Sequence, residues 1–128
     1  MTSSRTVYTV DVPHIKPPMT ANEQRRATWR TVRTAKAQTA ADVAWMVRKA
    51  KLPQISSPVR VTVTWWAPNA HRRDPDSLGP WSKAALDALV SCGVLKDDSS
   101  KYVLSVTQEI RLDRERPRIT ITLEPEEG

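Results

Sequence analysis

A chain of 128 residues has room for one hydrophobic core but not two, and 39% hydrophobic with 27% charged residues is the composition of a globular domain, which argues against a disordered or membrane-spanning chain. A single cysteine, Cys92, excludes an internal disulfide; with no signal-peptide pattern and no long apolar run, the expected setting is a reducing cytoplasm and no membrane partner. The net charge of +6 is uneven, because residues 1–73 hold 13 Lys/Arg against 3 Asp/Glu while residues 74–128 hold 7 against 11.

Thr6 to Val12 reads as a strand with Tyr8, Val10 and Val12 on one side. Pro13, Pro17 and Pro18 keep the next stretch irregular, and His14 is expected to be a loop residue there, not a metal ligand. Thr20-Ala-Asn-Glu23 has capping-box spacing and opens the longest helical pattern, which runs to about Lys51 before Leu52-Pro53 stops it. Trp29, Val32, Ala40, Val43, Ala44 and Val47 can supply its core-facing stripe. Beside them stand Arg25, Arg26, Arg30, Arg33 and Lys36. Apart from Glu23 they lack acidic partners one turn on, so internal ion pairs do not explain them, and phosphate contact becomes the favoured reading if a metal-dependent site lies nearby.

Val59, Val61, Val63 and Trp65 alternate with Arg60, Thr62, Thr64 and Trp66, a period of two that buries one face of a strand. Trp66 is left to cover the other face or to meet a partner. Trp29, Trp45, Trp65 and Trp81 all fall where a core could use them, so packing is favoured over base stacking. Ala67 to Arg73 is a loop ending in His71, Arg72 and Arg73, donors suited to phosphate or simply a mobile basic segment.

Two acidic knots follow, Asp74/Asp76 and Asp97/Asp98, one at each end of a short helical pattern. Gly79-Pro80 opens that helix, Trp81, Ala84, Ala85, Ala88 and Leu89 recur at helical spacing, and Gly93 is placed to stop it beside a packed, unreactive Cys92. Either knot alone reads as a turn or a cap. If strands on both sides join one sheet, the knots lie at strand ends and can converge. Three or four carboxylates within about 5 Å would repel by roughly 3 kcal/mol per pair at an effective dielectric near 20, so such a cluster needs a cation. Hard oxygen donors without Cys or His at metal spacing favour Mg²⁺ or Mn²⁺ over Zn²⁺. Lys96 and Lys101 flank the second knot. Tyr102, Leu104, Val106, Ile110 and Leu112 then share a strand face, Asp113 to Pro117 is a charged turn, and Ile119, Ile121 and Leu123 mark a last strand, the pair reading as a β-hairpin. Residues 1–5 and 124–128 read as frayed tails of one domain spanning 1–128.

Arg72-Arg73-Asp74-x-Asp76-x-Leu78, then Lys83-Ala84-x-x-Asp87-Ala88-Leu89, then Gly93-Val94-x-x-Asp97-Asp98, resembles the RusA family of Holliday-junction resolvases, and Pro17-Pro18 with Asn22 is similar to that family's Pro-Pro-x-x-Asn region. The resemblance implies an α/β (α+β) fold, a single mixed β-sheet with two main helices in the order β-α-β-α-β-β. It implies a homodimer of bacterial or phage origin, with four-way DNA junctions as partner, Mg²⁺ (or Mn²⁺) as cofactor and no small-molecule cofactor. The family's metal-binding acidic positions match Asp74, Asp76 and Asp98, and its catalytic lysine matches Lys83; Asp97 and Asp87 match supporting positions. Arg72, Arg73, Arg25, Arg26, Arg30, Arg33, Lys36 and Lys101 are the expected DNA contacts. Two departures stand out: Ser77 replaces the Asn that usually follows the second Asp, and Gly79-Pro80-Trp81-Ser82 lengthens the interval to Lys83. The expected activity is therefore a Mg²⁺-dependent, structure-selective endonuclease. The alternatives are a branched-DNA-binding protein without catalysis and a related nuclease acting on flaps or RNA.

Overall fold

The computed structural model describes residues 6–126, which form β1 (Tyr8–Val12), α1 (Ala21–Arg26), α2 (Trp29–Ala50), β2 (Val59–Ala67), a 3₁₀ turn (Pro75–Leu78), α3 (Gly79–Ser91), β3 (Val103–Leu112) and β4 (Arg118–Pro125). This is the expected α+β order, with one mixed sheet and two main helices, α2 and α3. The sheet has four strands in the order β1-β4-β2-β3; β2 and β3 are parallel, and β4 is antiparallel to both β1 and β2.

The basic helical pattern breaks into two helices. The capping box forms as expected: Glu23 N–H donates to Thr20 Oγ1 at 3.3 Å and Thr20 N–H donates to Glu23 Oε1 at 3.0 Å. Ala27 then turns extended, and the Thr28 hydroxyl accepts the Thr31 N–H at 3.3 Å, so a second N-cap restarts the chain as α2. Trp29 and Trp45, expected in the core, are instead 66% and 67% exposed, because α2 turns Val43 and Val47 inward while these rings lie on its outer side.

The parallel pairing of β2 with β3 demands a crossover, which α3 provides. Gly93 ends α3 as expected: at φ +80 it takes the left-handed conformation, Val94 N–H donates to Leu89 O and Gly93 N–H to Val90 O, each at 3.0 Å. Val94 and Leu95 are thereby buried, and the chain carries Asp97 and Asp98 out to the surface. Trp65, Trp81, Leu78, Leu89, Ile119 and Ile121 belong to a continuous core between the sheet and the helices.

Three other expectations are corrected. β3 and β4 are not a hairpin: β2 lies between them, and the turn after β3 crosses the end of β2, where Asp113 N–H donates to Ala67 O at 2.8 Å. Asp113 fixes that turn through Oδ1, which accepts the N–H groups of Glu115 and Arg116, and through Oδ2, held by Arg118 at 2.8 Å. The β3 face expected to be buried is largely open at Leu104, Val106 and Leu112, because β3 is an edge strand. Of the expected tails, residues 1–5, 127 and 128 lie outside the described residues. Glu124 and Pro125, however, continue β4, and Glu126 N–H donates to Pro58 O at 2.8 Å.

The face of the sheet away from the helices carries Thr62, Thr64, Thr120 and Thr122, half-covered by Trp66, whose Nε1 donates to Thr120 Oγ1 at 3.0 Å under the Arg118 guanidinium. Among the described residues no helix is long and apolar enough to cross a membrane.

Candidate active site

The helix that links the two acidic knots holds the best-defined charged contact in the segment. Lys83, one turn into α3, reaches Asp98 Oδ2 at 3.0 Å and Asp87 Oδ1, one turn further on, at 3.6 Å. Asp87 Oδ2 in turn meets Lys36 of α2 at 3.5 Å. The second knot is therefore folded back along α3, and a chain of alternating charges Asp98–Lys83–Asp87–Lys36 crosses from the α3–β3 loop to α2. Asp97 supports the end of it, its Oδ1 accepting the Asp98 N–H at 2.9 Å.

This contact sets both ionisations. The hydrogen bond to Asp98, reinforced by the charges of Asp87 and Asp98, raises the Lys83 pKa above its ordinary 10.5, so the amine stays cationic at neutral pH. The hydrogen bond from Lys83 and its charge lower the Asp98 carboxyl below its ordinary 3.8. The sign of the linkage follows: any stability from the pair is present above pH 3.8 and is lost as pH falls through the lowered Asp98 value, or as pH rises through the raised Lys83 value. Both groups are solvent-exposed, so the effect belongs to the site more than to the fold. In Lys83→Met the Asp98 carboxyl is expected to titrate at higher pH than in the parent protein, read from side-chain carbon shifts. An unmoved midpoint would show that the two groups do not meet in solution.

The first knot is built differently. Asp74 precedes the 3₁₀ turn, Pro75 opens it, and the Asp74 carbonyl accepts the Ser77 N–H at 2.9 Å, so the turn is backbone-held and both carboxylates project into solvent. Leu78 anchors the turn at 0% exposure. The Ser77 hydroxyl, at the position where the resemblance implies Asn, is buried without a hydrogen-bond partner, as is that of Ser82.

The expected three-carboxylate cage of Asp74, Asp76 and Asp98 is not assembled. Among the described residues no group of three or more His, Cys, Asp or Glu side chains stands close enough to hold a metal ion. The physical reason lies in the pairing: gathered carboxylates repel, whereas the fold gives Asp98 the Lys83 ammonium as its partner. The donor set itself, exposed and all oxygen, suits a hard divalent cation.

The basic residues divide by what else they hold. Arg73 is a brace: it donates to the Asn69 carbonyl at 2.8 Å and Asn69 Oδ1 at 2.6 Å, and stacks on the Trp65 ring at 4.8 Å. Arg30 lies over Trp29 at 5.5 Å and Lys101 over Tyr102 at 5.6 Å. Arg25, Arg26, Arg33 and Arg72 are exposed on α1, α2 and the loop after β2.

Sequence reasoning missed a groove of about 560 Å³ between α1, α2 and the start of α3, with Met19, Val32 and Trp81 among its apolar lining and Arg25, Lys36 and Lys83 among its basic lining. It also missed the role of His14. Trp81 Nε1 donates to His14 Nδ1 at 3.0 Å, which fixes the tautomer so that Nε2 donates to Asp42 Oδ2 at 2.7 Å. The loop before α1 is thereby tied to both main helices. No local pattern signals a contact whose members lie 28 and 67 residues apart.

A protein-family model described as Endodeoxyribonuclease RusA matches residues 14–124, which takes in every charged group described above. No curated protein matches the chain.

Proposed function

The chain belongs to the RusA endodeoxyribonuclease family, and from that premise we propose that it is a Mg²⁺-dependent, structure-selective DNA endonuclease that resolves Holliday junctions by paired symmetric nicks. It acts as a homodimer in the cytoplasm of a bacterium, on host or phage DNA. The observation that carries this reading is the contact of Lys83 with Asp98, at 3.0 Å, because it joins a cation to the second acidic knot across the helix that begins at the first.

Asp74, Asp76 and Asp98 would hold the metal, which when bound supplies a water of lowered pKa and neutralises charge on the scissile phosphate. Lys83, freed from Asp98, would still be protonated at neutral pH on its ordinary value of 10.5 and would stabilise the charge that develops on the phosphoryl or leaving oxygen. Asp87 would keep that ammonium aimed along α3, as it does at 3.6 Å. Arg25, Arg26, Arg33 and Arg72, with Lys36, Arg30 and Lys101, would bind backbone phosphates and orient the strand, whereas Arg73 acts mainly by holding its loop against Trp65. A two-fold dimer would present two such sites to opposing strands of a junction.

Purified protein with Mg²⁺ is expected to nick a synthetic four-way junction in preference to linear duplex, flap or RNA of matched length. Intact junction after long incubation with Mg²⁺ or Mn²⁺ would sink the reading. A second reading, a junction-binding protein that does not cut, is favoured by one observation: Asp98 is already paired, with Lys83 at 3.0 Å. Tight junction binding with no metal-dependent product separates it from the first.

A further inference from the structure

A strand at the edge of a sheet presents a row of unpaired backbone groups, and proteins blunt such edges by keeping them short, charged or covered. The two edges here differ in this respect. β1 has five residues; its Val10 and Val12 are 2% and 0% exposed, and its outward Asp11 is held by Arg116 at 3.0 Å. β3 has ten residues, and β2 is its only strand partner among the described residues. Its Leu104, Val106 and Leu112 are 38%, 41% and 46% exposed. Val106 and Leu112 stand opposite the buried Val61 and Ala67 of β2, so they occupy the helix side of the sheet where the helix layer runs out.

The sequence of β3, Val-Leu-Ser-Val-Thr-Gln-Glu-Ile-Arg-Leu, is chemically palindromic about Gln108. Folded back on itself at that residue, it sets Val106 against Ile110 and Gln108 against itself on one face, with Ser105 against Arg111 and Thr107 against Glu109 on the other; Leu104 falls at the register shift beside Val59 and stands outside this alternation. We propose that β3 is the seam of the homodimer: two copies pair their β3 strands antiparallel about a two-fold axis through Gln108, and the two sheets become one.

Directly opposed residues of an antiparallel pair share a face, and a two-fold axis normal to the sheet must pass through a residue paired with its own copy. The register is then chosen by chemistry. Moving the axis to Glu109 sets that carboxylate against its copy, and moving it to Thr107 sets Val106 against Gln108. Centred on Gln108, Val106 meets Ile110 on both sides of the axis, and two amides meet on the axis, where each can donate and accept. Glu109, diagonal to its copy, is already balanced by Arg111 at 3.3 Å and by the Thr64 hydroxyl at 2.8 Å. The surface is thus complementary to itself, which is the reason to name a second copy of this chain as the occupant instead of an unrelated strand.

This inference rests on the homodimer in the function proposed above, but its test reads mass and cross-linking, not cleavage, so either can fail alone. Light scattering on the full chain at about 100 µM is expected to give twice the monomer mass. Val106→Asp, at a residue 41% exposed and so tolerable to the monomer, is expected to weaken association by roughly 100-fold. Trp45→Ala, on the outer side of α2, is expected to leave it unchanged. In a Cys92→Ser background, mild oxidation is expected to cross-link Gln108→Cys to its copy and not Thr107→Cys, because only a residue on the axis brings its own Cα within disulfide range. A monomer at that concentration overturns the proposal. So does a dimer that survives Val106→Asp or fails to cross-link through Gln108→Cys. If Val106→Asp does not fold, the cysteine pair decides alone.

Discussion

Asp76→Asn is expected to slow junction cleavage by roughly 10³-fold, about 4 kcal/mol of lost transition-state stabilisation, with junction affinity nearly unchanged. The separation of the two effects follows from where Asp76 sits. It is exposed on a 3₁₀ turn held by the Ser77 N–H bond to Asp74 O and by the buried Leu78, so an amide of the same shape removes charge without disturbing any packing. Affinity is assigned to guanidinium and ammonium groups on other elements, Arg25 and Arg33 among them, and removing one acidic charge weakens none of them. In the proposed mechanism cleavage needs the carboxylate itself, as a hard anionic oxygen close to the phosphate. The measurement is a single-turnover rate on a labelled junction beside a binding titration at the same salt concentration. Wild-type cleavage by Asp76→Asn would remove the first knot from the mechanism. Equal loss of rate and affinity would mean that the turn shapes the DNA-binding surface instead of holding the reacting centre.

How far the sequence alone reaches is seen element by element. The capping box at Thr20, the αL stop at Gly93 and the alternation of β2 are local signals, each decided by residues within a few positions, and each is realised in the fold. The break at Thr28 is local too, but two threonines competing to cap one helical pattern look the same as one long helix until Ala27 turns extended. Strand neighbours are another matter. Five residues between β3 and β4 suggest a hairpin, and only the pairing of β4 with β1 and β2 reveals that the turn hops over the end of β2. The open face of β3 follows from that same topology, since alternation reports which residues share a face but not whether anything covers it. At the site, the proximity of Lys83 to Asp98 has a sequence signal in the motif that contains both. The cage of Asp74, Asp76 and Asp98 has the same kind of signal, yet the carboxylates stand apart, because spacing along a chain says nothing of the mutual repulsion that has to be overcome.

Trp81→Ala is expected to cost about 3–5 kcal/mol of stability, a large share of the roughly 5–15 kcal/mol that holds a domain of this size together. Trp81 is 1% exposed and belongs to the single core, so truncation removes the transfer energy of a large ring and leaves a cavity that the rigid sheet beneath cannot fill. It also orphans His14, whose Nδ1 loses its donor at 3.0 Å and whose ring loses an edge contact at 6.1 Å between centroids. His14 in turn holds Asp42 of α2 at 2.7 Å, so the damage reaches the packing of α2 against α3 and, two residues along α3, the start of the Lys83–Asp87–Lys36 charge chain. Trp81→Phe separates the parts. It keeps most of the apolar volume and loses the hydrogen bond, so it is expected to cost about 1–3 kcal/mol and to leave cleavage largely intact. Chemical denaturation followed by tryptophan fluorescence from the remaining indoles measures both variants. A Trp81→Ala loss near that of Trp81→Phe would mean that the indole–imidazole bond, and not the buried ring, is what ties α3 to the loop before α1.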